Sequence, residues 1–428
     1  MVVTIVVLLI LAGVSISLLL DENGIIKKSK DARREYGTSK TNEQEQMDNA
    51  GDWIDEAVTG KVTLAKVPVG TKASKNGTIN GEEGNSNNPT IPKNYIPIDT
   101  ATSTWGDGST APSQDSVEHG LVIKDEKNNE WVWVPVDSTT LATMYEESSD
   151  EKTLRGTTGE TAVKTKLYSK SGIIEGITRT TPGTTYYREP DLVVGSNGAN
   201  YDVKDTYYKT ILGFDSKEKM AEAFVAEYKE MIESIRKYGG FYIGRYELSE
   251  AGVQKNQPTL TNTNWYNLYN ACKDTKLQAS DKVKTGMIWG CQWDVTMNWL
   301  ISSGAKTSNE VNKDSSSWGN YKDSTGDAKV IVTESGTETN KYGTKQNTGY
   351  SEYWKANNIY DLAGNCWEWT QEASNTNGRA NRGGNCNNNG SSTPASSRNY
   401  DSPANVNGSS LRFSSHFNNK VESINLSV

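Results

Sequence analysis

Four cysteines and two histidines are the side chains of this 428-residue sequence best suited to nucleophilic or metal chemistry. Cys272, Cys291, Cys366 and Cys386 show no CxxC spacing, which disfavours thiolate metal knuckles and thioredoxin-like exchange. Two disulfides in an oxidising compartment or four buried thiols both fit, and the sequence does not choose among the three possible pairings. His119 and His416 stand nearly 300 residues apart, so His-rich zinc sites and His-based triads lack raw material. The net charge of -8, from 45 Lys and Arg against 53 Asp and Glu, argues against a nucleic-acid footprint, which needs clustered basic residues to neutralise phosphates.

A binding surface has better raw material. Residues 385–419 (NCNNNGSSTPASSRNYDSPANVNGSSLRFSSHFNN) hold nine Asn and nine Ser, over half of the segment, a bias that ordinary folding does not require. The same segment has no Lys, Glu, Gln, Met or Trp, where composition alone would place roughly eight. Those five types are also the ones that cannot be reached by changing only the adenines of an AAC or AAT asparagine codon.

Recognisable elements precede that segment. Gly120–Ile123, a polar turn and Glu130–Val136 predict a hairpin with Trp131 and Trp133 on one face, packed in a core. Asp215–Arg236 predicts an amphipathic helix: Asp215 and Glu218 form a capping box, Met220, Phe224, Tyr228, Ile232 and Ile235 share a face, and Gly239-Gly240 stops it. Residues 240–247 (GFYIGRYE) predict a strand, Trp265–Cys272 a short helix, and Trp289–Leu300 a helix with Trp293, Met297 and Leu300 on one face. Gly364 and Gly383-Gly384 allow tight turns, which Trp367 and Trp369 should pin to the core. The 12 Trp and 21 Tyr supply large buried surface despite a hydrophobic fraction of 34%.

The start of the chain is different. Of the first 20 residues 17 are apolar or Gly, enough for a helix to span a bilayer core, and no charge precedes the run as a signal peptide would require. A charged, proline-free stretch to about Ala57 lets the helix continue, and Lys61–Asp115 then shifts to Gly, Ser, Thr, Asn and Pro, a spacer or peripheral loops.

Three resemblances follow. VVTIVVLLILAGVSISLLLDENGIIKKSKDARREY resembles the N-terminal helix of Gram-positive type IV pilin-like proteins, although it lacks their early Glu and shows no leader or cleavage site. That likeness implies packing in a filament core through Val2, Val6, Leu9, Ile10, Val14 and Leu18, with insertion in the membrane before assembly. IYDLAGNCWEWT (359–370) with RANRGGN (379–385) resembles the formylglycine-generating-enzyme family, which implies a variant C-type-lectin-like fold over roughly 95–428. Some relatives in that family bind calcium, so the likeness offers Asn365 and Glu368 as ligands, the alternative being hydrogen bonds to loop backbone. Its enzymes use two cysteines five positions apart beyond the RGG turn; here Cys386 has no second cysteine after it, so no catalytic activity and no catalytic cofactor are expected. The Asn-rich segment resembles the variable region of diversity-generating-retroelement target proteins, in which adenine-directed mutagenesis rewrites asparagine codons. It implies a ligand-facing set of Asn385, Asn387, Asn388, Asn389, Ser391, Asn399, Tyr400, Asp401, Asn405, Asn407 and Ser409.

The expected fold class is therefore α+β: a long pilin-like helix over 1–58, a spacer over 59–94, and a C-type-lectin-like domain over 95–428 carrying the variable-region-like segment 385–419. The expected function is a surface filament subunit that displays a binding domain to an extracellular protein or glycan. The other readings are a sulfatase-modifying enzyme and a monomeric membrane-anchored receptor.

Overall fold

The computed structural model describes residues 86, 89, 91–92, 95–98, 117 and 120–419, except 170–187, 196–199, 275–276, 278–282, 334–335, 340–341, 375–377, 407–410 and 414. In the strands at 96–97, 330–333, 336–339, 411–413 and 415–419 it describes the backbone. The expected helix over 1–58 with its six assembly residues, nearly all of the spacer, His119, Asn407 and Ser409 lie outside the described residues. No described helix is long and apolar enough to cross a membrane.

Helices and sheets are mixed, as the α+β expectation requires. The chain runs through β1 (Tyr95–Pro97), β2 (Val122–Asp125) and β3 (Glu130–Pro135) to helix α1 (Ser138–Met144) and the hairpin β4 (Tyr145–Thr153) and β5 (Lys164–Ser169). Helix α2 (Lys217–Tyr238), β6 (Gly240–Gly244), α3 (Trp265–Ala271), β7 (Val283–Met287), α4 (Gly290–Ser302) and α5 (Ser308–Asn312) follow. Two small hairpins, β8 (Val330–Thr333) with β9 (Gly336–Thr339) and β10 (Lys355–Ala356) with β11 (Ile359–Tyr360), lead to β12 (Trp367–Ala373) and β13 (Arg379–Arg382). The chain closes through β14 (Arg398–Asp401), β15 (Leu411–Phe413) and β16 (Ser415–Asn419).

The main sheet has the order β1-β2-β3-β6-β16-β7, so the late strand β16 is inserted between β6 and β7. A second sheet, β14-β13-β12-β15, carries the WEW and RANR segments, with β15 parallel to β12. Local chemistry fixes the turns between these strands. Asp125 Oδ1 accepts from the amides of Lys127 and Asn129, both at 2.9 Å, and Asn128 takes a left-handed φ of 67°, closing the β2–β3 hairpin where polar residues were expected to.

The alternation along β3 is as expected, but both faces are buried. Trp131 and Trp133 join one apolar cluster with Tyr242 and Trp265, while Val132 and Val134 join another with Ile243 and Trp293. Helix α2 serves both clusters, Met220 and Phe224 packing in the first and Tyr228, Ile232 and Ile235 in the second. All five residues of its expected apolar face are buried. Its cap falls one residue later than expected: Ser216, not Asp215, accepts from the Lys219 amide at 3.2 Å, and Gly239 at φ 75° ends it. Helix α4 departs further, since ten of its thirteen residues are buried rather than one stripe. A helix enclosed on all sides needs no amphipathic period, and Asp294 within it requires a buried partner.

Candidate functional site

The candidate binding segment begins where β13 ends. Gly383 and Gly384 have φ of 85° and 77°, a region closed to most side chains, and a Cβ on Gly384 would stand 2.6 Å from the Thr393 carbonyl. The Gly364 amide donates to Gly383 O at 2.8 Å and the Cys386 amide to Asn365 O at 3.0 Å, so the two motif turns lie side by side. The Tyr321 hydroxyl lies between two carbonyls, 2.7 Å from Gly383 O and 2.9 Å from Thr393 O, with its single proton shared between them.

From there the backbone is fastened to the framework. The Lys322 amide donates to Asn388 O at 3.1 Å, Gly390 N to Asp323 Oδ1 at 2.8 Å, Ala395 N to Ser315 Oγ at 2.9 Å, and Trp293 Nε1 to Ala395 O at 3.1 Å. Much of the loop's main chain is thus held by residues outside it or by its own backbone turns, and the Asn388 and Asp401 side chains add bonds to the Asn385 and Ser402 amides.

Beneath the segment lies a set of buried charges. Arg398, which opens β14, donates from Nε to Glu372 Oε2 and from Nη2 to Asp294 Oδ2, both at 2.9 Å. Arg382 donates from Nη2 to Asp294 Oδ1 at 2.6 Å and from Nε to Ser397 O at 2.9 Å. All four side chains are 0–1% exposed. Glu189 completes the group at the start of α4, where its carboxylate accepts from the Gly290 and Cys291 amides, a helix N-terminus favouring the negative charge. Gly290 is needed there, because a Cβ would press on the carboxylates of Glu372 and Glu189.

The side chains of the segment range from buried to exposed, with a half-buried set between. Gly390, Pro394, Ala395, Arg398 and Pro403 are buried; Asn387, Ser391, Ser392, Asn399, Tyr400, Asn405 and Val406 are exposed. Of three exposed large hydrophobics among the described residues, two are Tyr400 and Val406, at 47% and 56%. Asn388, Asn389 and Asp401 are half-buried. Asp401 Oδ1 accepts from Ser402 N and Asn405 Nδ2, both at 2.7 Å.

Asn385 corrects the expected ligand-facing set: it is buried, and its Oδ1 accepts from the Asn387 amide at 2.9 Å while its own amide donates to Asn388 Oδ1 at 3.1 Å. It shapes the turn that presents its neighbours. Ser392 and Val406 were not anticipated on the exposed face, nor was the charge network beneath it. Arg398 carried a signal in the sequence, as a lone cation in a run of Asn and Ser.

Asn365 does not fit calcium. Its Oδ1 already accepts from Asn320 Nδ2 and the Gln346 amide, both at 3.0 Å, and its Nδ2 donates to Glu247 Oε1 at 2.9 Å, so a cation would have to displace two donors. Glu368 is buried on β12. Among the described residues no group of three or more His, Cys, Asp and Glu converges to hold a metal. All four cysteines are buried, and burial pushes the thiols of Cys366 and Cys386 up and that of Cys272 up to about 12. A nucleophilic thiol needs the opposite shift.

No protein-family model matches the chain, and no curated protein matches it.

Two outcomes follow from this geometry. Arg398→Met should cost about 3–5 kcal/mol in urea denaturation, because it leaves the buried carboxylates of Asp294 and Glu372 with Arg382 alone as their arginine partner. Tyr400→Ala, two positions on, should stay within about 0.5 kcal/mol; equal losses would contradict the division of the segment. The second concerns Asp361, in the turn before β12. Burial pushes its carboxyl up to about 7, against hydrogen bonds from the Gly349 amide and the Thr348 hydroxyl. A carboxyl raised above its unfolded value of about 4 holds its proton more tightly when folded, so its stabilising effect is complete below about pH 4 and is lost as pH rises through about 7. Asp361→Asn should flatten that decline in urea midpoints; an unchanged slope would remove Asp361 as its source.

Proposed function

We propose that this chain is a subunit of a type IV pilus-like surface filament that displays a C-type-lectin-like domain for binding an extracellular protein or glycan. Residues 1 to about 58 would form the assembly helix, inserted in the membrane until neighbouring copies bury its apolar face. Residues from about 95 would form the display domain, of the variant lectin-like type that the GNCWEW and RGG turns resemble.

One observation carries the binding part: the division of 385–406 into a buried, hydrogen-bonded scaffold and an outward set of Asn, Ser, Tyr400 and Val406. Short amides and hydroxyls around an exposed tyrosine give adaptable hydrogen bonding and one rigid contact area, the chemistry of variable recognition loops. A scaffold that does not rely on those side chains lets them change, which suits diversification by adenine-directed mutagenesis. Many copies along a filament would raise a weak single-site affinity by avidity. The binding reading is favoured over catalysis by the thiols, which burial shifts away from reactivity.

Immunogold electron microscopy of native cells, with antibody against the display domain, should decorate filaments at regular intervals. Label confined to the cell envelope, with detergent-solubilised protein that stays monomeric, would replace the filament subunit by a membrane-anchored receptor.

A further inference from the structure

A separate cavity of about 290 Å³, lined by none of 385–406, opens between α2 and β7, the edge strand of the main sheet. One wall is a stripe of α2: Glu227, Glu230 and Ser234, at the spacing that puts residues on one helical face. Opposite stand Lys273, just beyond α3, and Lys284 on β7.

The charges are paired within the cavity. Lys284 Nζ meets Glu230 Oε2 at 2.8 Å, and Lys273 Nζ meets Glu227, which also accepts from the Tyr269 hydroxyl at 2.6 Å. Two carboxylates and two ammonium groups leave no net charge to select an ion. They leave instead a polar lining of paired carboxylates and ammonium groups.

Gln371 lines the same cavity and is 2% exposed. Its Nε2 donates to Met287 O at 2.8 Å, which fixes the amide orientation, and its Oε1 has no hydrogen-bond partner among the described residues. A buried amide oxygen in that state costs about 1–3 kcal/mol, which a ligand hydroxyl would relieve. Trp289 contributes apolar surface to the lining. Gly286 contributes space: a Cβ there would meet nothing within 4 Å.

We propose that this cavity binds a neutral polyhydroxylated ring, a single monosaccharide unit. Neighbouring hydroxyls, each both donor and acceptor, match a lining that holds carboxylates, ammonium groups and the Gln371 amide; the C–H face of the ring matches Trp289. The volume is at the lower end of ligand pockets and suits one ring rather than a chain. This site is independent of the display reading, since no residue of the Asn-rich segment takes part.

The test is saturation-transfer NMR on the full chain with the methyl glycosides of glucose, galactose, mannose and N-acetylglucosamine at millimolar concentration. At least one should receive magnetisation, with a Kd on the order of 1 mM that is insensitive to salt. Gly286→Leu starts from a Cβ that meets nothing within 4 Å, extends into that space and should weaken the binding at least tenfold; Lys284→Met, at the solvent-exposed rim, should weaken it by a smaller factor and guards against misfolding of the first variant. Transfer to none of the four sugars, binding unchanged in both variants, or preferential binding of a charged probe such as arginine or citrate would overturn the proposal.

Discussion

Two arginines and two carboxylates, all shut off from water, hold the segment 385–406 to the rest of the protein. Arg398 belongs to the segment; Asp294 belongs to α4, Glu372 to β12 and Arg382 to β13, so the group joins four elements at one point. Burying four charges costs several kcal/mol each before pairing, and pairing repays that only when the geometry is tight. Such a group therefore adds little net stability over a well-packed apolar one, but it tolerates almost no displacement. It sets where β14 starts, hence where Asn399 and Tyr400 emerge. The fully enclosed α4 and the side-chain-free Gly290 both follow from this requirement, since Asp294 and Glu189 have to reach the group from the interior.

Around that group the protein solves a shortage of aliphatic residues with aromatic ones. Trp131, Trp133, Trp265, Trp293 and Trp369 are all fully buried, and the two apolar clusters on either face of the main sheet depend on them. Their indole N–H groups also connect elements: Trp265 Nε1 donates to Thr370 O at 2.9 Å and Trp293 Nε1 to Ala395 O at 3.1 Å. Apolar burial and loop fastening are thus done by the same side chains.

Local signals are legible in the sequence, and long-range ones are not. The amphipathic period of α2, its glycine stop, the β2–β3 hairpin and the glycine turns at 364 and 383–384 are all written in neighbouring residues. The cap at Ser216 was misplaced by one position because Asp215 and Ser216 both suit the role, and only the backbone decides between them. The face of Trp293, Met297 and Leu300 on α4 is legible, but the burial of its other residues is not, because the surroundings of that helix come from distant segments. Asn385 was misassigned for a related reason: composition marks a run of asparagines but not which of them turns inward to bond the Asn387 amide. The charge network could not be derived at all, because its members are spread from 189 to 398 and meet only in the fold.

The account rests on a separation between a fixed scaffold and replaceable outward side chains within one short segment. Deep sequencing of the codons for 385–406 across cells of a single population tests it most directly. Changes are expected at adenines of Asn387, Asn389, Asn399, Tyr400 or Asn405, and at Ser391, with Gly390, Pro394, Ala395, Arg398 and Pro403 constant. Changes spread evenly over buried and exposed positions, or no changes beyond the background of flanking codons, would contradict it.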